Sequence, residues 1–531
     1  MQLKRNFYIQ KNYNKLIRGC FMEEKVQIGW ITLIVVSLSA FVIALDTTFM
    51  NVAITTLVKD LNTTVGTIQF IIAIYALTMA ALMLIGGKLQ DVMGKKRTFL
   101  IGAAIYGIGT TIAALSFNPF MLLIGWSILE GIGAALMTPA TASIISGTYH
   151  GNDRTFALAI WTAMAGVAAA IGPLFGGFLT TFFSWRWGFG LELLIILTIL
   201  AYSGHIKYFK PIMERSDIDV LGAILSAVGI VVLVLGVLLL NSFKTWGYAP
   251  YCMGAGILIL IVFYFYEKSR IAQNKIPLFD VHLLKNRDFT LGTSTRLLMN
   301  LALAGTVFVM PVFLQAVSGA DAFTTGLILM PLTVGLLVFS IIASKISGRL
   351  PHRTIIAMGF AVALLGAIIL RSQFSLYTQL IDLVPGMFCL GVGLGLSIPL
   401  TADVILTSAG DKKQADASGF MSTGANLGSS MGTAVIGVIL ILGAISGMYT
   451  AIDANYPDQI TKQQYKENIG FYFEKLKTAN IEQLKNQKSV ASNMVNTTIT
   501  TAMKYAMDAV SLFMLLGLIL ALFLRPISKE G

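Results

Sequence analysis

The chain predicts an all-α integral membrane protein with fourteen spans, and three observations carry that prediction. It is 56% hydrophobic and only 12% charged, with a mean hydropathy of +0.77, whereas a soluble domain carries about 25% charged residues. Apolar runs of roughly 20 residues recur, each long enough at about 1.5 Å per residue to cross a hydrocarbon core of about 30 Å. Segments of alternating polarity are absent, so the spans are helices and not barrel strands.

In chain order the expected spans are 29–51, 66–86, 97–116, 119–146, 155–181, 186–207, 217–240, 248–268, 291–317, 324–347, 354–372, 376–406, 416–447 and 505–526. Basic residues orient them. Counting from a cytoplasmic tail, residues 1–28, places Lys95, Lys96, Arg97, Lys207, Lys210, Arg215, Lys268, Arg270, Lys275, Lys285, Arg287, Arg349 and Arg353 inside. The short loops assigned outside, SFNP at 116–119 and LNTT at 61–64, carry no basic residue. That asymmetry predicts a multi-pass protein of the cell membrane with both termini cytoplasmic.

The remaining segments are polar. The tail carries Lys4, Arg5, Lys11, Lys15, Arg18 and Lys25 but lacks the apolar core and cleavage site of a secretory signal. Met22, heading MEEKVQIGW, is an alternative start to Met1. Residues 448–504 hold seven lysines and five acids and are expected as a long outer loop, exempt from the positive-inside count. Weak helical periodicity in EKLKTANIEQLKNQ predicts a helical hairpin or cap there.

Composition also excludes classes of function. The net charge of +12 is explained by the inner loops, so no nucleic-acid partner is expected. Cys20, Cys252 and Cys389 lie far apart without C-x-x-C spacing, and His150, His205, His282 and His352 are scattered near predicted cytoplasmic ends. Neither a metal nor another cofactor is expected from them. No nucleophile with its base and no phosphate-binding loop appears, so the chain reads neither as an enzyme nor as an ATP-driven pump.

Ionisable residues deep in a bilayer are expensive and point to function. The first six spans hold three: Asp46, Glu130 and Glu192. Rise per residue puts Asp46 about 25 Å along its helix, Glu130 near the middle of the fourth, and Glu192 about 9 Å below the outer surface. No Lys or Arg lies at comparable depth in these spans, and a carboxylate in such a medium can take up a proton or neutralise a cationic ligand. Plainer roles compete: Asp46 can bond within its own helix beside Thr47 and Thr48, Glu130 can bond between helices beside Gly131 and Gly133, and Glu192 can reach water or Arg186. In the last six spans Arg296 and Asp403 match in depth and are expected to form a structural or gating pair, while Asp382 marks a helix mouth.

Several motifs stand in order. They are Leu45-Asp46-Thr47-Thr48-Phe49-Met50-Asn51-Val52-Ala53 in the first span, Gly87-Lys88-Leu89-Gln90-Asp91-Val92-Met93-Gly94-Lys95-Lys96-Arg97 after the second, and Gly166 to Gly177, with Gly172, Pro173 and Gly176, in the fifth. WRWGF at 185–189, PLFDVHLLKNRDF at 277–289 and NLGSSMGTA at 426–434 follow. Together they resemble the major facilitator superfamily, and specifically its fourteen-helix drug:proton antiporters, over residues 29–526. The resemblance implies two six-helix bundles, 29–207 and 291–526, with 208–290 adding two further helices and a cytoplasmic linker, and 527–531 as a tail. It implies gating by the loop residues Gly87, Asp91, Gly94, Lys95, Lys96 and Arg97. Gly87 and Gly94 would turn that loop, and Asp91 would cap a helix or pair with a cation. The fifth-span glycines would slide against the other bundle and seal one side of the pathway.

Three departures bear on coupling. The family's fourth-span arginine is Ser127 here and its glutamine is Glu130, the asparagine after WRW-x-F is Glu192, and the arginine after Asp91 is Val92. Losing a buried cation while gaining two carboxylates leaves Asp46, Glu130 and Glu192 to handle protons. The expected function is proton-coupled efflux of lipophilic, cationic compounds, the partners being a small-molecule substrate, protons and the bilayer. A narrow-specificity exporter of the same fold and a membrane sensor that has lost transport are the alternatives.

Overall fold

Helices and short turns account for the described structure, and no strand occurs among the described residues. The computed structural model describes residues 30–149, 151–211, 213–214, 218–241, 243–347, 349–410, 413–455 and 490–525. The N-terminal tail with Met22, Arg215, His150 and the EKLKTANIEQLKNQ segment lie outside the described residues.

Helix α1 runs Trp30–Phe49 and continues through a 3-10 turn, Met50–Ala53, into Ile54–Asp60. α2 is Val65–Met93, α3 Lys95–Ala114, and α4 begins as Pro119–Leu122, widens into a π-helix over Leu123–Glu130 and ends as Gly131–Thr148. α5 is Gly151–Phe182, α6 Arg186–Ala201, α7 Val220–Leu238 and α8 Ala249–Ala272. α9 is Arg287–Val312, α10 Ala322–Ile346, α11 His352–Gln373, α12 Val384–Ala409, α13 Gln414–Asn455 and α14 Val490–Leu522. Among the described residues thirteen spans are long and apolar enough to cross a membrane, and α5 adds a helix of 32 residues.

Helix starts follow local chemistry. Backbone N–H groups in the first turn lack intrahelical acceptors, and side chains supply them: Asn118 Oδ1 accepts from Met121 N (2.8 Å), Asp219 Oδ1 from Gly222 N (2.9 Å) and Asp321 Oδ1 from Thr324 N (2.8 Å). Gly94, at φ +89°, separates α2 from α3 in a conformation that L side chains rarely adopt. Gly87 differs from its expected role: it lies inside α2, and a Cβ there would meet nothing within 4 Å.

We call the end where α1 begins proximal and the other distal. α1–α6 and α9–α14 meet along two seams, α5 against α10 and α2 against α13, while α7 lies across α2 and α13 and α8 packs on α7. Apolar side chains such as Leu258 and Phe265 of α8 remain exposed, as lipid-facing residues do. The expected loop at 448–504 is shorter than polarity suggested: 448–455 belong to α13 and 490–504 to α14. Its polar residues serve the fold, since Asn496 Oδ1 accepts from Leu376 N (2.8 Å) in the connection after α11.

Candidate functional site

The three acids of the first six helices converge. Asp46, Glu130 and Glu192 have no solvent exposure, and one carboxylate oxygen from each lies within 4.8 Å of the others. α1, α4 and α6 bring them together, and glycines permit the approach. A Cβ at Gly131 would sit 2.8 Å from Thr78 Cβ of α2, one at Gly133 2.7 Å from Gly102 O of α3, and one at Gly125 2.6 Å from Ala113 N of α3.

Aromatic side chains form the wall. Trp126 Nε1 donates to Asp46 Oδ1 at 2.8 Å, and Tyr106 Oη donates to Glu192 Oε2 at 3.3 Å. Tyr75 stacks on Trp126 with ring centroids 5.5 Å apart, and Phe189 meets Trp126 edge-on at 6.2 Å. Asp46 Oδ2, both Glu130 oxygens and Glu192 Oε1 make no hydrogen bond among the described residues. The plainer roles are taken by others: Thr47 and Thr48 bond to Ala44 O in α1, and Arg186 pairs with Asp60 at 3.5 Å and donates to Ser116 O at 2.8 Å. Ser127, where the resemblance expects arginine, donates to Ile71 O at 2.7 Å.

Three negative charges cannot coexist there. Two unit charges no more than 4.8 Å apart repel by at least about 3.5 kcal/mol even at an effective dielectric of about 20, and among the described residues no cation pairs with any of the three. The cluster has to share protons or hold a cation, and its oxygens are spaced for either.

A second feature lies between the two halves. A cavity of about 250 Å³ is walled by α1, α2, α4, α5, α9 and α13, with Thr47, Met83, Trp161, Arg296, Met421 and Asn426 among its lining. None of the three acids lines it. Arg296 is the correction to the sequence reading. Its Nη1 donates to Ile398 O of α12 at 3.0 Å, whereas Asp403 faces His352 Nε2 of α11 at 3.7 Å. Matching depth does not make a pair when the two side chains leave their helices on different faces, and the expected Arg296–Asp403 pair does not form. Asp382 sits in a 3-10 turn, Leu380–Leu383, at the mouth of α12.

From mid-helix to the distal end the α5–α10 seam is closed. A Cβ at Gly177 would sit 2.8 Å from Phe323 Cα, one at Gly166 2.9 Å from Leu337 Cδ1, and one at Gly326 of α10 2.8 Å from the carbonyl carbon of Pro173. Gly172 and Gly176 instead face α1, at Thr48 and Phe49. Phe323 N donates to Thr181 Oγ1 at 3.1 Å, and Thr55 and Gln315 bond across the halves.

At the proximal end the loop residues bind their surroundings. Lys95 Nζ donates to Ser143 O at 3.1 Å and Lys96 Nζ to Ile206 O at 2.8 Å, while Arg97 lies over the Tyr208 ring. Asp91 sits in the last turn of α2, where its main-chain carbonyl accepts from Met213 N. The ion pair across the halves is made by Lys88, whose Nζ lies 3.1 Å from Asp416 Oδ1 of α13. Higher in the same seam Ser430 Oγ donates to Ala73 O (2.7 Å) and Gln69 Nε2 to Thr433 O (2.8 Å). Sequence reasoning passed over Lys88, Trp126 and Tyr106. Trp126 was within reach, four residues before Glu130, where two side chains share a helix face.

Comparison with known proteins agrees with this architecture. The chain is 27% identical to the methylenomycin A resistance protein of Bacillus subtilis, covering 80% of this chain and 91% of that protein. It is 27% identical to the multidrug efflux pump LfrA of Mycolicibacterium smegmatis (77% and 81% covered) and 26% identical to the riboflavin transporter RibZ of Clostridioides difficile (76% and 87%). In fold it is similar to a bacterial homologue of the lysosomal transporter Spinster, solved inward-facing and unoccupied, with a TM-score of 0.59, 13% identity and 94% and 97% of the two chains covered. The Major Facilitator Superfamily model matches residues 36–210 and 220–433. With that match spanning most of its helices, the chain is a multi-pass membrane protein that belongs to the major facilitator superfamily.

Proposed function

We propose that this protein exports lipophilic small molecules in exchange for protons, by opening the central cavity alternately at the two ends of the bundle. The observation that carries the reading is the buried trio Asp46, Glu130 and Glu192, which has no cation partner among the described residues and no solvent exposure. A cluster that must be neutralised to exist gives protons a differential affinity for two conformations, which any coupled conformational change requires. The glycine-lined α5–α10 seam supports exchange by giving the distal end a contact that can part and re-form.

On this reading the proximal end is cytoplasmic, because Lys95, Lys96, Arg97, Arg270 and Arg349 gather there, and both termini lie on the cytoplasmic side of the cell membrane. All fourteen helices span it, with 29–207 and 291–526 as the moving bundles and α7 and α8 riding on the α2–α13 seam. The expected preference for cations rested on acids facing the pathway, and the cavity wall does not contain them. Narrow specificity is the second reading: the cavity holds only about 250 Å³, and the relatives' names range from a single antibiotic to riboflavin.

The test is proton movement by purified protein in liposomes across a panel of lipophilic compounds, compared with Asp46→Asn, Glu130→Gln and Glu192→Gln. Substrate-dependent proton movement is expected in the parent and is expected to vanish in Asp46→Asn. If all three variants transport as the parent does, the carboxylate reading fails. If no compound moves under an imposed pH gradient, the membrane-sensor reading replaces it.

A further inference from the structure

The cavity that would carry the cargo has an electrical character of its own. Arg296 is the charged side chain in its lining, no Asp or Glu contributes to that wall, and a guanidinium cannot shed its proton. Among the described residues Arg296 has a single acceptor, the neutral carbonyl of Ile398. Its Nε makes no hydrogen bond among the described residues. Nor does Trp161 Nε1, a second N–H donor on the same wall, contributed by the opposite half. Two N–H groups, one of them on a cation and both on side chains that line one cavity, thus lack acceptors among the described residues, and a charge held away from water demands a partner of opposite sign.

Apolar surface surrounds these donors. Ile43, Met79, Met83 and Met421 line the same space, and methionine adapts to ligands of differing shape. The carboxylates that could have repelled an anion are sequestered in the α1–α4–α6 cluster, and Asp403, the acid nearest in depth, is turned to His352 on α11.

Resting on the export reading and naming its substrate class, we propose that the cavity takes an amphiphilic organic anion. Its carboxylate or phenolate is held by Arg296, with Trp161 Nε1 as a second donor, and its apolar body lies among the methionines. The cargo class is therefore the reverse in sign of the one the buried acids suggested.

Binding to the purified full-length chain tests the sign directly, with quenching of tryptophan fluorescence as the signal and Trp161 in the wall as reporter. The probes are 1-naphthaleneacetate, 1-naphthaleneacetamide and 1-naphthylmethylammonium, which share a ring system and differ in charge. The parent is expected to bind the carboxylate about tenfold or more tightly than the amide, as a charge-assisted bond implies, and the ammonium weakest. Arg296→Gln is expected to remove the preference for the carboxylate while amide binding persists, which shows that the variant is folded. Arg296→Lys is expected to keep its sign. Ammonium binding equal to or tighter than carboxylate binding, an unchanged ratio in Arg296→Gln, or no saturable binding of the carboxylate overturns the inference. The export reading fails separately: an Arg296-dependent carboxylate preference with no compound moved under a pH gradient leaves this assignment standing and removes export.

Discussion

Gly177 offers the sharpest test of the distal seal. A Cβ added there would lie 2.8 Å from Phe323 Cα and would also press on the Ala322 carbonyl, which is backbone on both counts. Ordinary carbon contacts lie at about 3.5–4.0 Å, so α5 and α10 would have to part by about 1 Å. Overpacking of this kind costs about 1–3 kcal/mol, charged only to the conformation in which the seam is closed. Taking about 2 kcal/mol, Gly177→Ala is expected to shift the balance toward a distal-open state by about thirtyfold. Spin labels on Lys59→Cys at the end of α1 and Ala316→Cys in the π-helical turn Phe313–Val317 that follows α9, in a background lacking the native cysteines, report the separation by pulsed electron resonance. Both positions are exposed, and they flank the Thr55–Gln315 bond. A longer-distance population that grows in Gly177→Ala is expected. An unchanged distribution, with unchanged thermal stability, refutes the view that this contact seals one conformation.

Three further outcomes are expected. Charge reversal at one partner of the proximal pair, Lys88→Asp or Asp416→Lys, weakens closure there by about 1 kcal/mol, and the double swap restores it; solvent accessibility of a cysteine introduced at Ser422 reads both. Ser127→Ala removes the bond to Ile71 O and lowers the melting stability by about 0.5–1.5 kcal/mol without altering proton coupling, whereas a loss of coupling would give Ser127 a direct role. Asp280 lies in the loop before α9, where burial works to raise its carboxyl but Lys413 and the His282 N–H outweigh it and hold it below the usual range. A depressed carboxylate stabilises the folded state above its unfolded value of about 3.9 and loses that contribution as pH falls through its lower folded value. The difference in melting temperature between the parent and Lys413→Ala is therefore expected to be full at neutral pH and to shrink below about pH 4, and a difference independent of pH rules the pair out as its source.

Depth was legible in the sequence, and azimuth was not. The bilayer fixes how long a span must be, so apolar runs alone placed the helices, and rise per residue placed Asp46, Glu130 and Glu192 at or above the midplane. Whether they meet depends on which way each helix faces, and Gly125, Gly131 and Gly133 decide that through contacts with α2 and α3 that no single-helix pattern contains. Arg296 and Asp403 failed for the same reason: equal depth on α9 and α12, different faces. Polarity misled at the start of α14, where Ser492, Asn496 and Thr498 read as loop but are hydrogen-bonded within the helix or to its neighbours. Gly87 misled in a simpler way, since a motif glycine inside α2, before its last turn, has no turn to make.

Separating the acids from the cavity constrains any coupling mechanism. A proton and a cargo that compete for one carboxylate exclude each other by occupancy, but here the carboxylates are buried beside Trp126 while the cavity presents Arg296. Something has to connect them, and α1 touches everything concerned. Ala40, Ile43, Ala44 and Thr47 of α1 line the cavity, Asp46 enters the acid cluster, and Thr48 and Phe49 press on Gly172 and Gly176 of α5, the helix that forms the distal seam. A change in charge at Asp46 alters its bond to Trp126, and α1 cannot rotate to follow without moving cavity wall and seam contacts together, because Asp46, Thr47, Thr48 and Phe49 are successive residues of about one helical turn. On the proposed reading, coupling is therefore carried by the orientation of α1 rather than by shared occupancy of a single acid, so a cargo of either charge can be coupled to protons.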